Sequence, residues 1–289
     1  MKIKILIPVY NDWQSVTKLI SEIDDISKNI NHEISIIVVN DASTHDRDPN
    51  NNELNNLNSV KILNMKTNQG HARCIATGLK YILEKDEFDY VIPMDGDGED
   101  RPEEINDFLN KIENNDSIPI IGERTKRSES LLFKTCYQIH KLITLVFTGQ
   151  SIKFGNFTCL TKTTVEKMVN EKATWNSFSG SLRKLEKDLI SIPSIRGTRY
   201  FWPSKMNFSS LVKHSLSIIS VFRKAVLIRS ALFIIIYILL IKSHASIITL
   251  IPFLFLLYLV YSVSNLALRE NMDEFDKSLS NINGIDKIK

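Results

Sequence analysis

Apolar residues fall into short unbroken runs over the first part of the chain, and polar residues follow each run. The runs that predict strands cover residues 4–9, 33–39, 60–63, 90–94 and 118–122. Short apolar runs bounded by turn residues are typical of strands buried on both faces. Between the runs, apolar residues recur at helical spacing, as over 16–26 and 105–112. The alternation predicts an α/β domain with a mostly parallel sheet covered on both faces.

The polar residues that follow these strands occupy equivalent positions. Asn11 and Asp12 follow the first strand, Asp41 follows the second, and the sequence DGDGED at 95–100 follows the fourth. Because the carboxyl ends of parallel strands meet at one edge of a sheet, we expect these side chains to lie together. Ligands of open α/β sheets bind at this edge.

The acidic turn, defined here as residues 95–100, suits a divalent cation. Asp95 and Asp97 are separated by one glycine, and carboxylates this close repel each other unless a cation or hydrogen-bond donors lie between them. Mg²⁺ and Mn²⁺ prefer carboxylate oxygens and bridge to substrate phosphates. An EF-hand does not fit, because Asp100 and Asn106 stand where that loop needs Gly and Glu. A solvated acidic turn is the alternative.

Composition excludes several function classes. The 289 residues contain 36 Lys and Arg against 33 Asp and Glu, so the net charge of +3 shows no basic excess of the kind that nucleic-acid binding leaves. Three widely spaced cysteines suit neither a disulfide framework nor a CxxC metal site, which favours a reducing compartment. The first ten residues are too short for a signal peptide and predict a strand.

The C-terminal part predicts a membrane anchor. Residues 225–241 and 247–268 are apolar almost throughout, and about 20 apolar residues span a bilayer. We therefore expect a transmembrane hairpin over 225–268, with two buried core helices as the alternative. Basic residues on both sides of the hairpin predict cytoplasmic termini at the inner membrane, with Arg229 near the interface. Residues 208–224 predict an amphipathic interfacial helix, and 269–289 predict a polar, disordered tail.

Four motifs in a fixed order carry a resemblance to a known family. They are Ile7-Pro8-Val9-Tyr10-Asn11-Asp12, Val39-Asn40-Asp41-Ala42-Ser43, Asn68-Gln69-Gly70 with Ala72 and Gly78, and Asp95-Gly96-Asp97. In this order the chain resembles the family 2 inverting GT-A glycosyltransferases. Within that family it is most similar to polyprenyl-phosphate sugar transferases of the dolichyl-phosphate mannose synthase type. The resemblance covers the predicted domain, residues 1–207.

The resemblance implies a nucleotide-sugar site built from these motifs. The residues that it assigns to the nucleotide sugar are Pro8, Tyr10, Asp12, Asp41, Gly70 and Asp95. The family often has Glu where Asp12 stands and a second Asp where Asn40 stands, and both differences are mild. Taken alone, Asp41 also suits a helix cap or a turn. Arg73, on the helix behind Gly70, is either a further cation for the diphosphate or a solvated helix residue.

The resemblance also implies the chemistry of the acidic turn. Asp97 would bind Mg²⁺ or Mn²⁺ on the diphosphate, with Asp95 beside it near the ribose, and these two are the candidate catalytic and metal-binding residues. A nucleoside diphosphate develops charge as the sugar bond breaks, and a metal ion on its oxygens stabilises that charge. Inversion at the anomeric carbon follows from the resemblance alone.

A group of basic residues predicts an acceptor site. In residues 195–207, IRGTRYFWPSKMN, basic and aromatic residues alternate, which resembles the family's Arg-x-x-x-Gly-x-Ser-Lys acceptor loop with Pro203 where Gly is usual. Arginine binds phosphate through two N–H groups, and lysine binds it as a point charge. The residues assigned to an acceptor phosphate are Arg124, Arg127, Arg196, Arg199, Ser204 and Lys205. A solvated basic loop at 124–127 and a juxtamembrane anchor at 195–207 are the alternatives.

Asn156 bears on the type of acceptor, because relatives commonly have Asp at this place in the sequence Phe154-Gly155-Asn156-Phe157. A sugar hydroxyl needs a general base to remove its proton. A lipid phosphate is already ionised at neutral pH and can attack without one. Asn156 therefore favours a phosphate acceptor, or else a base elsewhere, such as Glu186 or Asp188.

These observations predict a membrane-anchored glycosyltransferase that moves a sugar from a nucleotide donor to a polyprenyl phosphate at the cytoplasmic leaflet. The same fold acting on a sugar hydroxyl of a lipid-linked saccharide or envelope polymer is the nearest alternative. A non-catalytic membrane scaffold is another. A nucleotidyltransferase fits less well, because no Gly-rich basic phosphate loop opens the chain. A homo-oligomer is permitted, and nucleic acid is not an expected partner.

Overall fold

The computed structural model describes residues 1–47, 53–112, 117–126, 131–201, 207–242 and 246–289. The strands are β1 Lys2–Val9, β2 Glu33–Asn40, β3 Ser59–Met65, β4 Tyr90–Pro93, β5 Ile120–Lys126, β6 Thr158–Thr161, β7 Ile190–Ile195 and β8 Ile282–Lys287. The α-helices are α1 Trp13–Ser27, α2 His71–Lys85, α3 Ile105–Ile112, α4 Leu131–Thr148, α5 Lys162–Val169, α6 Phe178–Leu185, α7 Phe208–Ser220, α8 Arg223–Ile241, α9 Ile247–Ala267 and α10 Met272–Asp276. Short 3₁₀ turns occur at Pro102–Glu104, Lys172–Trp175 and Ser278–Asn281.

An eight-stranded sheet in the order β7-β5-β6-β4-β1-β2-β3-β8 forms the centre of the domain. The strands β1, β2, β3 and β4 are parallel, whereas β6 and β8 run antiparallel to their neighbours. Two clusters of buried apolar side chains cover the two faces. The predicted α/β class, with a mostly parallel sheet covered on both faces, is confirmed.

Strand β1 shows why the central strands are apolar at every position. Ile5 and Ile7 pack in the cluster that contains α1 and α3, whereas Leu6 between them packs in the cluster that contains α2 and α5. Successive side chains of a strand point to opposite faces, so a strand buried on both faces needs apolar residues throughout. On the α2 side, a Cβ at Gly78 would lie 2.3 Å from a methyl carbon of Leu6. The small residue lets α2 lie close to the sheet.

The segment after α9 corrects one prediction, since residues 269–289 are not a disordered tail. Helix α10 places Phe275 in a fully buried position, stacked on the Trp175 ring with 5.3 Å between ring centroids. Strand β8 then pairs with β3 and adds an antiparallel edge to the sheet. The prediction of disorder rested on the polar composition of this segment. It was wrong because an edge strand is stabilised by its neighbour and needs few apolar residues of its own.

Helices α8 and α9 form the expected apolar hairpin. Within the described residues, these two helices are long and apolar enough to cross a membrane. The Tyr237 hydroxyl on α8 donates to the carbonyl of Thr249 on α9 at 2.7 Å. Large apolar side chains cover the outer surface; Leu240 is 74% exposed and Ile247 is 84% exposed. A surface of this kind favours lipid over water.

Helices α4 and α7 pack against the base of the hairpin. Phe147 of α4, Ile219 of α7 and Val226 of α8 belong to one buried cluster with residues of α9. Arg229, expected near a membrane interface, donates from Nη1 to the carbonyl of Val146 at 2.9 Å. A guanidinium suits this place because the last carbonyls of a helix carry partial negative charge. The contact joins the first hairpin helix to the preceding domain.

Candidate active site

The loops after β1 and β2 form one unit at the carboxyl edge of the sheet. The backbone N–H of Asn11 donates to the Ser43 hydroxyl at 2.9 Å, and the Asn11 side-chain oxygen accepts from the N–H groups of Thr44 and His45 at 2.8 and 3.1 Å. Asn11 has φ of 52°, a left-handed conformation that asparagine tolerates better than most residues. The first two motifs therefore hold each other in place.

Asp41 ties this unit to the loop before α2. Its buried carboxylate accepts from the N–H groups of Gln69 and Gly70 at 2.6 and 2.9 Å, and its own N–H donates to the carbonyl of Val9 at 2.9 Å. The Cys74 thiol also hydrogen-bonds this carboxylate, so three of its roughly four lone-pair sites are used. Asp41 thus positions three loops and keeps capacity for a ligand.

The remaining members of the first motif differ in exposure. The Tyr10 side chain is exposed, whereas Pro8 is buried beneath the acidic turn, where a Cβ at Gly96 would lie 3.3 Å from its carbonyl oxygen. Asp12 has a buried Oδ1 that accepts no hydrogen bond from the described residues. A buried acceptor without a donor is costly, so a ligand or water that donates to it would stabilise this loop.

Backbone N–H groups of the acidic turn donate hydrogen bonds to the carboxylates of the same turn. Asp95 donates its N–H to Asp100 Oδ2 at 2.9 Å, and Glu99 donates its N–H to Asp97 Oδ1 at 3.0 Å. Gly98, with φ of 87°, allows the reversal. These hydrogen bonds bring the Asp95, Asp97 and Asp100 carboxylates close together.

The crowded carboxylates perturb one another. Burial and the negative charge of Asp95 raise the pKa of Asp97 to about 6, and the same two causes raise the pKa of Asp100 to about 7. Burial would also raise the pKa of Asp95, but the hydrogen bond and charge of His71, together with Arg124, hold it below its usual range. Because mutual repulsion contributes to these raised pKa values, a cation placed among the carboxylates would be favourable.

Basic side chains of the segment 195–201, here called the basic segment, lie directly on the acidic turn. Arg199 Nη2 is 2.7 Å from Asp97 Oδ2, and its Nε donates to Glu99 at 3.2 Å. Arg196 also pairs with Glu99, and the Tyr200 N–H donates to the carbonyl of Asp97 at 3.0 Å. Arg199, a predicted acceptor residue, is therefore in contact with Asp97, the predicted metal ligand.

Arg124 reaches the same cluster from β5, where its Nη2 lies 3.8 Å from Asp100 Oδ1. The other predicted acceptor residues, Arg127, Ser204 and Lys205, lie outside the described residues.

Arg73 lies against the C-terminal segment of the chain. Its Nη1 donates to Gln69 at 3.3 Å, its Nη2 is 3.1 Å from Glu274, and its guanidinium stacks 4.9 Å from the Trp175 ring centroid. It is a bound residue at the C-terminal segment, so the solvated-residue interpretation does not hold. The described contacts do not join it to the acidic turn, and a role on the diphosphate stays a prediction.

His71 is a residue that the sequence analysis did not single out. Its Nε2 lies 3.3 Å from Asp95 Oδ1 and 2.7 Å from Asn156 Nδ2, and Asn156 also donates to Asp95 at 3.2 Å. Its position just after Gly70, at the start of α2, was the available signal.

The suggested alternative base Glu186 is engaged with Thr164 and Lys167, each at 3.0 Å. Asn156 thus occupies a central place beside Asp95, and a carboxamide cannot act as a base.

The arrangement suits a metal ion that takes most of its ligands from substrate and water. The described part of the chain holds no group of three or more His, Cys, Asp or Glu side chains arranged to bind a metal. Mg²⁺ is commonly held by one or two carboxylates plus substrate phosphates. Asp95 and Asp97 would supply these carboxylates, and a metal ion on Asp97 Oδ2 would displace the Arg199 guanidinium that contacts this oxygen.

The strand order, the loops at the carboxyl edge and the acidic turn define a GT-A fold with a candidate diphosphate site. Residues 4–178 match the model of glycosyl transferase family 2, and the chain belongs to that family.

Solved structures support the same fold. Glucosyl-3-phosphoglycerate synthase from Mycobacterium tuberculosis, in complex with Mn²⁺ and UDP-glucose, has a TM-score of 0.55 at 10% identity, covering 78% of this chain and 78% of that one. S. aureus TarS 1-349 in complex with UDP-GlcNAc has a TM-score of 0.53 at 15% identity, covering 97% and 89%.

Among curated proteins, the chain is similar to undecaprenyl-phosphate 4-deoxy-4-formamido-L-arabinose transferase from Klebsiella pneumoniae. The two are 24% identical over 226 residues, which is 73% of this chain and 64% of that protein. The same enzyme from a second strain is 23% identical over an equal length. The match thus spans somewhat less than two thirds of these relatives.

Proposed function

We propose that this protein is a membrane-anchored glycosyltransferase that transfers a sugar from a nucleoside diphosphate donor to a polyprenyl phosphate. The observation that carries the proposal is the contact between Asp97 and Arg199. It joins a carboxylate suited to a diphosphate-bound cation to a guanidinium suited to a phosphate. Donor and acceptor groups that meet at this contact would lie close enough to react.

The donor would bind to residues 8–12, 41–45 and 68–70, here called the donor loops. The buried oxygen of Asp12, which has no hydrogen-bond partner among the described residues, and the remaining acceptor capacity of Asp41 would be available to a base or ribose. Relatives of this fold were crystallised with UDP-sugars, which supports a nucleotide sugar. Asp97, assisted by Asp95, would hold Mg²⁺ or Mn²⁺. When bound, the ion neutralises charge on the leaving diphosphate.

The acceptor would bind to the basic segment. A similar protein is named for its action on undecaprenyl phosphate. In this chain, Arg124, Arg196 and Arg199 provide guanidinium groups around the acidic turn, with Ser204 and Lys205 as further predicted contacts. Guanidinium groups bind phosphate through paired N–H donors. Asn156 beside Asp95 is not itself a base, which is compatible with a phosphate acceptor.

In the reaction, a phosphate oxygen of the acceptor would attack the anomeric carbon, and the bond from that carbon to the donor diphosphate would break. The electron pair of that bond leaves with the nucleoside diphosphate. Arg196 and Arg199 would hold the attacking phosphate, and the donor loops would hold the leaving group. Attack from the face opposite the leaving group gives inversion, as the resemblance implies.

The attachment of the apolar hairpin supports one orientation. Strand β7 precedes the hairpin and β8 follows it, and both belong to the same sheet. If α8 and α9 cross a bilayer, the domain and the segment after α9 therefore lie on one side. We place that side in the cytoplasm, where the flanking basic residues favour it.

The test is sugar transfer in detergent with a panel of nucleotide sugars and Mn²⁺, with and without undecaprenyl phosphate. Transfer that requires the lipid phosphate would establish the proposal and identify the donor. Donor binding without transfer would contradict the phosphate acceptor and favour a sugar hydroxyl. If the wild type neither binds nor transfers any donor, the protein is a scaffold and the proposal fails.

A further inference from the structure

We propose that strand β8 positions the donor loops through a relay of side-chain amides, with Asp286 as its terminal residue. The inference rests on the proposed donor site and assigns a role to the segment after the apolar hairpin. Asp286 is a positioning residue here, since it would act on the donor only through other side chains.

The relay crosses three neighbouring strands, β8, β3 and β2, and reaches the edge of the sheet where β2 ends. Asn64 on β3 donates from Nδ2 to Asp286 Oδ2 at 2.9 Å, and Asn40 on β2 donates from Nδ2 to Asn64 Oδ1 at 2.9 Å. The oxygen of Asn40 accepts from the Ser43 N–H at 3.0 Å, and the Ser43 hydroxyl accepts from the Asn11 N–H at 2.9 Å. One connected path thus joins the C-terminal strand to two donor loops.

The carboxylate at one end of the path and the Ser43 backbone N–H at the other require the same direction for the amide bonds between them. An ionised carboxylate only accepts hydrogen bonds, whereas an amide side chain has one donating and one accepting end. Asp286 therefore fixes the Asn64 NH₂ group toward β8, which turns the Asn64 oxygen toward β2. Asn40 must then donate to Asn64 and present its own oxygen to the Ser43 N–H.

A second contact from the same segment supports the third donor loop. The N–H of Lys66 donates to the carbonyl of Asn281 at 2.7 Å. Thr67 donates from Oγ1 to the Asn281 side-chain oxygen at 3.2 Å, and Asn281 donates back to the Thr67 carbonyl at 3.3 Å. These residues directly precede the loop 68–70 that Asp41 holds. The C-terminal segment thus supports the donor loops at two separate points.

The exposure of Asp286 separates positioning from general stability. The bond from Asn64 to Asp286 is solvent-exposed, whereas the bond from Asn40 to Asn64 is partly buried. Substitutions at exposed positions usually change global stability little. The loss of Asp286 should therefore change the order of the donor loops more than it changes the melting temperature.

The first experiment compares Asp286→Ala with the wild type in full-length protein in detergent. Hydrogen–deuterium exchange of residues 40–45 should rise, and the melting temperature should change little. UDP, GDP and dTDP are titrated with Mn²⁺, and the nucleotide that binds wild type most tightly is used for all variants. Its Kd should rise about fivefold, in line with one lost hydrogen bond, while kcat changes less than donor KM. Asp286→Asn keeps an acceptor and should recover part of the affinity.

Asn283→Ala is the matched control, because Asn283 lies on β8 outside the relay and should leave both exchange and affinity unchanged. Unchanged exchange of residues 40–45 in Asp286→Ala would overturn the relay. If wild type binds none of the three nucleotides, the donor site fails, and the exchange result still decides the relay by itself.

A pair of substitutions tests the direction of the bonds. A carboxylate at position 40 can only accept, so in Asn40→Asp the Asn64 amide must turn and point its oxygen at Asp286. We expect exchange to rise and nucleotide affinity to fall. Adding Asp286→Asn supplies a donor at β8, so Asn64 can stay reversed and the double variant should recover affinity relative to Asn40→Asp. If the losses of affinity in the two single variants simply add in the double variant, the relay is overturned, because substitutions at independent positions have additive free-energy effects.

Discussion

The two halves of the candidate site are held together by different forces. The donor loops are joined mainly by hydrogen bonds from backbone N–H groups, as from Asn11 to Ser43 and from Gln69 and Gly70 to Asp41. The acceptor half is joined by ion pairs, in which Arg196 and Arg199 contact carboxylates of the acidic turn. The proposed donor half is thus formed in advance, whereas the proposed acceptor phosphate would have to replace partners that the arginines already have.

The largest effect is expected at the carboxylate where the two halves meet. Asp97→Ala should lower kcat/KM for transfer about a thousandfold, because stabilisation of the leaving diphosphate by a metal is worth several kcal/mol. Initial rates across a Mn²⁺ series measure it, and an unchanged melting temperature shows that the fold is intact. Metal-dependent turnover that persists in this variant would contradict the assignment of Asp97.

The next effect should fall on the acceptor half alone. Arg199→Ala should raise KM for undecaprenyl phosphate about tenfold to a hundredfold, as expected for a lost hydrogen bond between charged groups. Donor affinity should stay within a few fold. Arg101→Ala, at a more exposed arginine that pairs with Glu103, is the control. Equal losses in donor and acceptor KM would show that the two halves are not separable.

Asp41 tests the donor half in the same way. Asp41→Ala leaves the N–H groups of Gln69 and Gly70 without their acceptor, and donor Kd should rise about tenfold. The melting temperature should also fall, because the carboxylate is buried. Asp41→Asn should be intermediate, since an amide offers a single acceptor atom. Calorimetric titration of the donor measures the effect. A change in acceptor KM with donor Kd unaltered would contradict the division.

The smallest expected effect is a difference in salt sensitivity between the two halves, measured on the wild-type protein. Raising NaCl from 0.1 to 1 M shortens the Debye length from about 10 Å to about 3 Å, so KM for the lipid phosphate should rise a few fold. Donor Kd for a metal-free nucleoside should change little, because its loops are joined by amide and backbone hydrogen bonds. Steady-state rates and titrations at both salt concentrations test this, and equal sensitivity would show that charge dominates both halves.

The sequence predicted the edge of the sheet well, because its signals are local. The apolar run before the acidic turn and the polar residues after β1 and β2 mark strand ends, and the structure brings Asn11, Asp41 and Asp95 to that edge. The helix expected over 208–224 begins as α7 at Phe208.

Contacts between distant segments could not be predicted from local pattern. Arg73 pairs with Glu274, and β8 is ordered by β3, which precedes it by more than two hundred residues. Arg199 and Asp97 were each assigned a ligand, and nothing in the spacing showed that they would pair with each other. Side-chain chemistry predicts what a residue can bind, but only the fold determines which partner reaches it first.

The return of the chain to the sheet after α9 also limits how the domain can move. A domain held by one linker can tilt and rotate above a bilayer. Here the chain leaves the sheet at the edge strand β7, passes through α7 and the hairpin, and returns at the opposite edge strand β8. Arg229 adds a third point of attachment at α4. In a bilayer, such a domain would keep its cleft at one height and one angle. The proposed lipid acceptor would then reach it by lateral diffusion in the plane of the membrane.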